Sequence, residues 1–239
     1  MKTKLSLFSA LLGVALVGST LAAVKVARSQ GAERRGAAAL YPSIPEDQVE
    51  PYVPADRILA AAGSRSMTAI WETLEHAESS ECISCVPAVE ALLFDDNPRT
   101  REIAAWWLRR RTFGVYGPNE VYGRVLAKLK SDPDERVRAY AADALGEFLA
   151  RPGIAAVTDA MKTDASPRVR AAAARALGRL NSDGQGALAG GVADGDGTVR
   201  KAALEAATRV SSFAEASSVV RALSDGDATV RLKAVQLLD

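Results

Sequence analysis

From residue 86 onward, apolar and polar positions recur with two spacings, one nested inside the other. The short spacing is helical. Aligned on a β-branched anchor (Thr100, Val137, Val169, Val199 and Val230), the chain carries Ala104, Ala141, Ala173, Ala203 and Ala234 four positions later. Seven positions on stand Trp107, Ala144, Ala176, Ala206 and Leu237, and eight on stand Leu108, Leu145, Leu177, Ala207 and Leu238; Phe148, Leu180 and Val210 follow at eleven. Apolar residues at i, i+4, i+7, i+8 and i+11 define one buried helical face. The long spacing is the distance between anchors: 37, 32, 30 and 31 residues. A period of that size indicates stacked supersecondary units that bury their faces against one another.

Each anchor is followed by Arg and preceded, five residues earlier, by Asp: Asp95, Asp132, Asp164, Asp194 and Asp225. Three positions before the anchors stand Asn97, Asp134, Ser166, Asp196 and Asp227, residue types that cap helix amino termini, and Pro98 and Pro167 occupy first helical positions. This anchored helix is called helix B. A second amphipathic segment precedes each copy: Val86–Phe94, Glu120–Leu129, Ile154–Met161, Gln185–Val192 and Phe213–Leu223. The unit is therefore helix A, a turn, helix B and a loop. A further segment, Ser66–Ala77 with Met67, Ile70, Trp71 and Leu74, closes the amino end as a cap or a divergent unit. Gly146 and Gly178 follow helix-B leucines and permit close helix crossing. The glycines between 184 and 197 mark a looser fourth unit.

The runs Asp132-Pro-Asp-Glu-Arg-Val-Arg-Ala-Tyr-Ala-Ala-Asp-Ala-Leu-Gly146 and Asp164-Ala-Ser-Pro-Arg-Val-Arg-Ala-Ala-Ala-Ala-Arg-Ala-Leu-Gly178 resemble the HEAT repeat family, in the short form found in phycobilisome lyases. The resemblance covers residues 86–239. It implies an all-α fold, a right-handed α-solenoid of antiparallel helix pairs, with helix B on the concave wall. It also implies that the recurring Asp and Arg are structural, forming a ladder in which each Asp bonds turn amides and a neighbouring Arg. The family is mostly one of scaffolds. Its di-iron hydroxylases use several His-Glu pairs, whereas this chain has the single His76, followed by Ala77.

Composition adds the outer bounds. Aromatic residues are 5% of the chain, which suits closely packed helices rather than a β-sandwich. Residues 1–29 hold four cations and no acid; the remainder has 26 cations against 29 acids, a net of −3, which argues against nucleic-acid binding. The apolar run from Leu5 to Val24 follows Lys2 and Lys4 and ends at small residues, the pattern of an export signal. Its length of about 20 residues also suits an uncleaved membrane anchor. Residues 30–56, with Pro42, Pro45, Pro51 and Pro54, read as a disordered linker, and 57–85 as the amino-terminal cap and cysteine loop. The expected location is exported, periplasmic or membrane-tethered.

Departures from the repeat point to function. Six positions after the anchor stand Trp106, Asp143, Arg175, Glu205 and Gln236, and four further on stand Arg110, Glu147, Arg179 and Arg209. A tryptophan beside arginine on a polar stripe has the composition of an interface hot spot. The rival reading buries Trp106 beneath Ser66–Ala77 or the insertion at 113–118. The candidate contact set is Trp106, Arg110, Tyr140, Asp143, Glu147, Arg175 and Arg179. Cys82 and Cys85 are spaced for a structural disulfide in an exported protein. A haem-attachment motif fails at Val86, and a zinc site lacks ligands. No cofactor and no metal are expected. The expected function is non-enzymatic: a scaffold or adaptor binding another protein, identity unspecified, through the concave face. The alternative is a thiol–disulfide or lyase-type accessory enzyme using Cys82 and Cys85. Contact with a membrane is expected only through residues 5–24, if they stay uncleaved, and an open carboxy-terminal end offers a route to self-association.

Overall fold

The structure, a computed structural model, describes residues 53–113 and 120–238. The expected signal or anchor, the linker up to residue 52 and most of the 113–118 insertion lie outside these residues. Among the described residues every regular element is helical. Two helices, α1 (Ala55–Gly63) and α2 (Met67–His76), precede five helix pairs. The A helices are α3 (Val86–Ala91), α5 (Glu120–Ser131), α7 (Ile154–Thr163), α9 (Ala187–Val192) and α11 (Ala216–Ala222). The B helices are α4 (Pro98–Phe113), α6 (Glu135–Glu147), α8 (Pro167–Arg179), α10 (Gly197–Ala207) and α12 (Ala228–Leu238). A 3-10 turn, Leu92–Phe94, extends α3. Helix α1 begins inside the stretch expected to be linker. Only Ile58 and Ala61 are buried along it, too few to register as a periodic pattern.

The anchor register describes the core. Val169, Val199 and Val230, all five alanines at the fourth position, and Trp107, Leu108, Leu145 and Leu177 are buried. In the fifth unit the face opens: Leu232, Val235 and Leu238 are exposed. Gly146 and Gly178 set the approach of successive B helices. A Cβ on Gly146 would stand 2.8 Å from the Ala176 Cα, and one on Gly178 would stand 2.9 Å from the Ala206 Cα. The B helices therefore nest closely on one another.

Four of the five predicted caps are present. Asn97, Asp134, Asp196 and Asp227 accept the amides of Arg99, Arg136, Thr198 and Thr229 at 2.7–2.9 Å. Ser166 is the exception: its buried hydroxyl has no partner in the structure, and its own amide bonds to Asp164.

The Asp–Arg ladder is built from the same loops. Each ladder Arg donates to two carbonyls of its own loop, as Arg170 does to Asp164 and Ala165. Its remaining edge forks onto the Asp of the next unit: Arg138 to Asp164 (2.8 and 2.9 Å), Arg170 to Asp194 (both 2.8 Å), and Arg200 to Asp225 (2.6 and 2.9 Å). Paired forks of this kind are the strongest form of carboxylate recognition by arginine. The Arg170 bonds hold the Asp194 carboxyl below the usual carboxylate range, and those from Arg200 do the same for Asp225. The first rung differs. Arg101 lies 3.9 Å over the Tyr140 ring instead of bonding Asp132.

Candidate protein-binding face

The polar stripe of the B helices carries most of the sequence-predicted contacts. Trp106 is half-buried, with part of its ring packed on the core. Arg110, one turn on, is exposed and bonds Glu78 at 3.1 Å. Across units 2 and 3, Arg175 pairs with Asp143 at 3.2 Å and Arg179 with Glu147 at 2.6 Å. Burial pushes the Glu147 carboxyl up, against the opposing pull of Arg179 and with the added repulsion of Glu102 and Asp143. Glu205 continues the stripe in unit 4 and pairs with Lys233 of the last unit at 3.6 Å. The charges thus neutralise one another in cross-unit pairs, and Trp106 is the large apolar side chain among them.

Tyr140 does not belong to that surface. It is 6% exposed, its ring covered by Arg101 and, at 5.5 Å, by Arg168. Its hydroxyl accepts from Arg168 at 3.2 Å and donates to Asp96 at 3.4 Å. The physical reason is register. Three positions after the anchor units 1, 3 and 4 place Ile103, Ala172 and Ala202, all buried, and only the last unit differs, with the part-exposed Lys233, so this position points into the stack.

Arg111 was missed from sequence. It occupies the eleventh register position, where other units place Phe148, Leu180 and Val210, and it is 2% exposed. Its guanidinium lies 3.6 Å over the Trp107 ring and donates to the carbonyls of Ala77 (3.3 Å), Glu78 (3.1 Å) and Ser80 (2.5 Å). Trp107 adds an indole bond to Ala77 at 3.0 Å. The Ser80 hydroxyl in turn accepts the Val53 amide. The loop after α2 is thereby clamped onto α4. A cation at an apolar register position was the available signal.

The cysteines stand on that loop. Cys82 and Cys85 are placed as a bonded pair, with Cα atoms 5.3 Å apart. Cys85 is fully buried and Cys82 is 5% exposed. His76 ends α2 on the surface, its ring Nδ1 2.6 Å from the Glu72 carbonyl. No group of three or more His, Cys, Asp or Glu side chains among the described residues is arranged to hold a metal ion.

The sequence profile of HEAT repeats matches residues 124–207 and 154–239. Residues 124–239 are HEAT repeats. Two solved structures carry the same fold. The complex of CpcE and CpcF of phycocyanin lyase from Nostoc sp. aligns over 66% of this chain and 100% of that chain, with a TM-score of 0.52 and 22% identity. The Escherichia coli protein YibA aligns over 78% of this chain and 70% of its own, with a TM-score of 0.57 and 19% identity. At these identities the likeness is one of fold. No curated protein matches the chain by sequence. The HEAT scaffold suits protein binding, since its curved helix layers offer a long surface on rigid supports.

Proposed function

We propose that the chain is a non-enzymatic scaffold or adaptor acting outside the cytoplasm, whose HEAT units hold a partner protein against the concave B-helix face. The observation that carries this reading is Trp106: a half-buried indole on a stripe otherwise made of charged and polar side chains. Arg110 stands one turn on, and Asp143, Glu147, Arg175 and Arg179 carry the stripe on through units 2 and 3. Because they already pair with one another or with Glu78, their part is orientation and exclusion of mismatched partners rather than affinity. The leader-like run at 5–24 supports the location. Cys82 and Cys85 act in this reading as a clip on the amino-terminal loop. The competing reading, a thiol–disulfide or lyase-type enzyme, needs a sulfur open to substrate, and the burial of both cysteines disfavours it.

The test is a photo-crosslinking amino acid placed at Arg175 on the inner face and, separately, at Arg124 on α5. The expected result is one protein captured from the cell envelope at position 175, absent at 124, and lost when Trp106→Ala is added to a chain that still melts cooperatively. Equal capture at both positions, or capture indifferent to Trp106→Ala, would sink the proposal.

A further inference from the structure

The Asp–Arg ladder has an open rung at unit 5. In units 2, 3 and 4 each ladder Arg directs its Nη1 to two carbonyls of its own loop, and its Nε and Nη2 to the Asp of the following unit. Arg231 is set by its loop in the same way: its Nη1 donates to the Asp225 carbonyl at 2.7 Å and to the Gly226 carbonyl at 3.1 Å. Its Nε and Nη2 meet no acceptor among the described residues, and the side chain is exposed where Arg138, Arg170 and Arg200 are half-buried. The guanidinium is thus held by the two bonds that elsewhere aim its free edge at an aspartate.

The helix surface beside it is apolar. At about 100° per residue, positions two, five and nine after the anchor fall within about 60° of one another. The ninth is where Gly146 and Gly178 touch the following B helix, so this side of each B helix faces the next unit. At the fifth position the earlier units place Ala105, Ala142, Ala174 and Leu204, all buried. Unit 5 places Val235 there, 49% exposed, between Leu232 at 57% and Leu238 at 49%. Of the eight large apolar side chains exposed among the described residues, five lie on α11, α12 and the turn that joins them. The exposure is therefore gathered at one end of the stack, as at an interface, and not scattered.

We propose that this face receives a helix pair of a second protein with an aspartate at the turn between its helices. The carboxylate takes the Arg231 fork, and the helices cover Leu232, Val235 and Leu238. The three complete rungs supply the recognition geometry, paired bonds of 2.6–2.9 Å from one guanidinium to one carboxylate. Covering the apolar side chains keeps water from that pair, where each bond is stronger than in solvent. A second copy of this chain does not supply the match. The seventh position faces the preceding unit in α8 and α10, as Ala176 and Ala206 do, and in unit 1 it holds Trp107, already covered by the loop after α2. Asp225, the turn acid nearest Arg231, is held by Arg200. The incoming helix also meets Leu232 and Val235 where α6 offers Ala139 and Ala142, so it stands farther from α12 than α8 stands from α6. The face closes the end of the stack, and the site is independent of the Trp106 stripe.

The test places the apolar photo-crosslinker benzoylphenylalanine at Leu232 of the full chain, in the cells that make it, and maps the cross-linked peptide by mass spectrometry. The expected product joins this position to a helix pair that carries an aspartate at its turn. Arg231→Gln should lower its yield about tenfold, the loss of a charge-assisted fork. Changing the partner's turn aspartate to asparagine should lower it as far, and the two changes together should lower it little further, since both break one pair. Val235→Glu should abolish the product in a chain that still melts cooperatively, while Trp106→Ala should leave it unchanged. No product, a product with another copy or another segment of this chain, a cross-link to a segment without a turn aspartate, or a yield indifferent to Arg231→Gln would each overturn the assignment.

Discussion

Adding one methyl group at two different glycines should change stability in opposite directions. Gly123 lies on the exposed side of α5, and a Cβ there meets nothing within 4 Å. Gly123→Ala therefore gains only the helix preference of alanine and the lower entropy of its unfolded state, about 0.5–1 kcal/mol. Gly146 sits mid-interface, where the added Cβ would meet the Ala176 Cα at 2.8 Å and its Cβ at 2.9 Å. One of those atoms is backbone, so α8 must move as a body. Overpacking of this kind costs about 1–3 kcal/mol; offset by the same helix preference, a net loss of about 1–2 kcal/mol is expected for Gly146→Ala. Urea denaturation followed by circular dichroism reads both, with Gly123→Ala shifting the midpoint up and Gly146→Ala shifting it down. Pairing Gly146→Ala with Ala176→Gly removes one clashing methyl but leaves the backbone clash and costs α8 the helix preference of alanine, about 0.5–1 kcal/mol, so the double variant should be no more stable than Gly146→Ala. If Gly146→Ala stabilises as much as Gly123→Ala, α6 and α8 do not nest as closely as described.

Three further outcomes follow from the loops and the clamp. Asp194→Ala strips the Arg170 fork and the Asp196 amide of their acceptor, and should cost about 2 kcal/mol in the same denaturation assay, the scale of charge-assisted bonds in a part-buried site. Acid should attack the ladder first. Carboxyls held below their unfolded value, as at Asp194 and Asp225, stabilise the fold above about pH 3.9 and lose that contribution as pH falls through the folded value. Glu147, pushed up by burial, has the opposite sign, so its protonation relieves a penalty, and Glu147→Gln should flatten any rise in stability between neutrality and about pH 4.3. Arg111→Leu leaves the Ala77, Glu78 and Ser80 carbonyls unmet and should cost about 3 kcal/mol, with hydrogen exchange accelerated at residues 77–85 before any other segment.

The repeat was readable because the units solve one packing problem with nearly one set of positions: a β-branched anchor, an alanine four on, an apolar residue eight on and, in four of the five, a capped loop. The site was less readable, for reasons that lie in particular residues. Tyr140 resembles a surface aromatic when taken alone and belongs to the core when compared with Ile103, Ala172 and Ala202. Arg111 resembles one member of an exposed arginine run, yet its register position is that of Phe148 and Val210. The charged stripe is visible in the helix-B register, but its pairing across units depends on the separation of α6 and α8, which no single helix encodes.

The ladder also determines how the stack answers force. Arg138, Arg170 and Arg200 couple four loops in series, so tension along the axis is shared among ionic links as well as helix packing. The series starts only at Arg138, because Arg101 is turned onto Tyr140, and α4 meets α6 through a thinner interface than any later pair of B helices up to α10. Units 1 and 2 are tied instead by Arg124 on Glu90 and Arg136 on Asp96, pairs more open to solvent than the ladder forks and so weaker, and a pull is expected to part these two units first. The clamped cysteine loop then leaves with the amino-terminal piece, while units 2 to 5 extend as one spring.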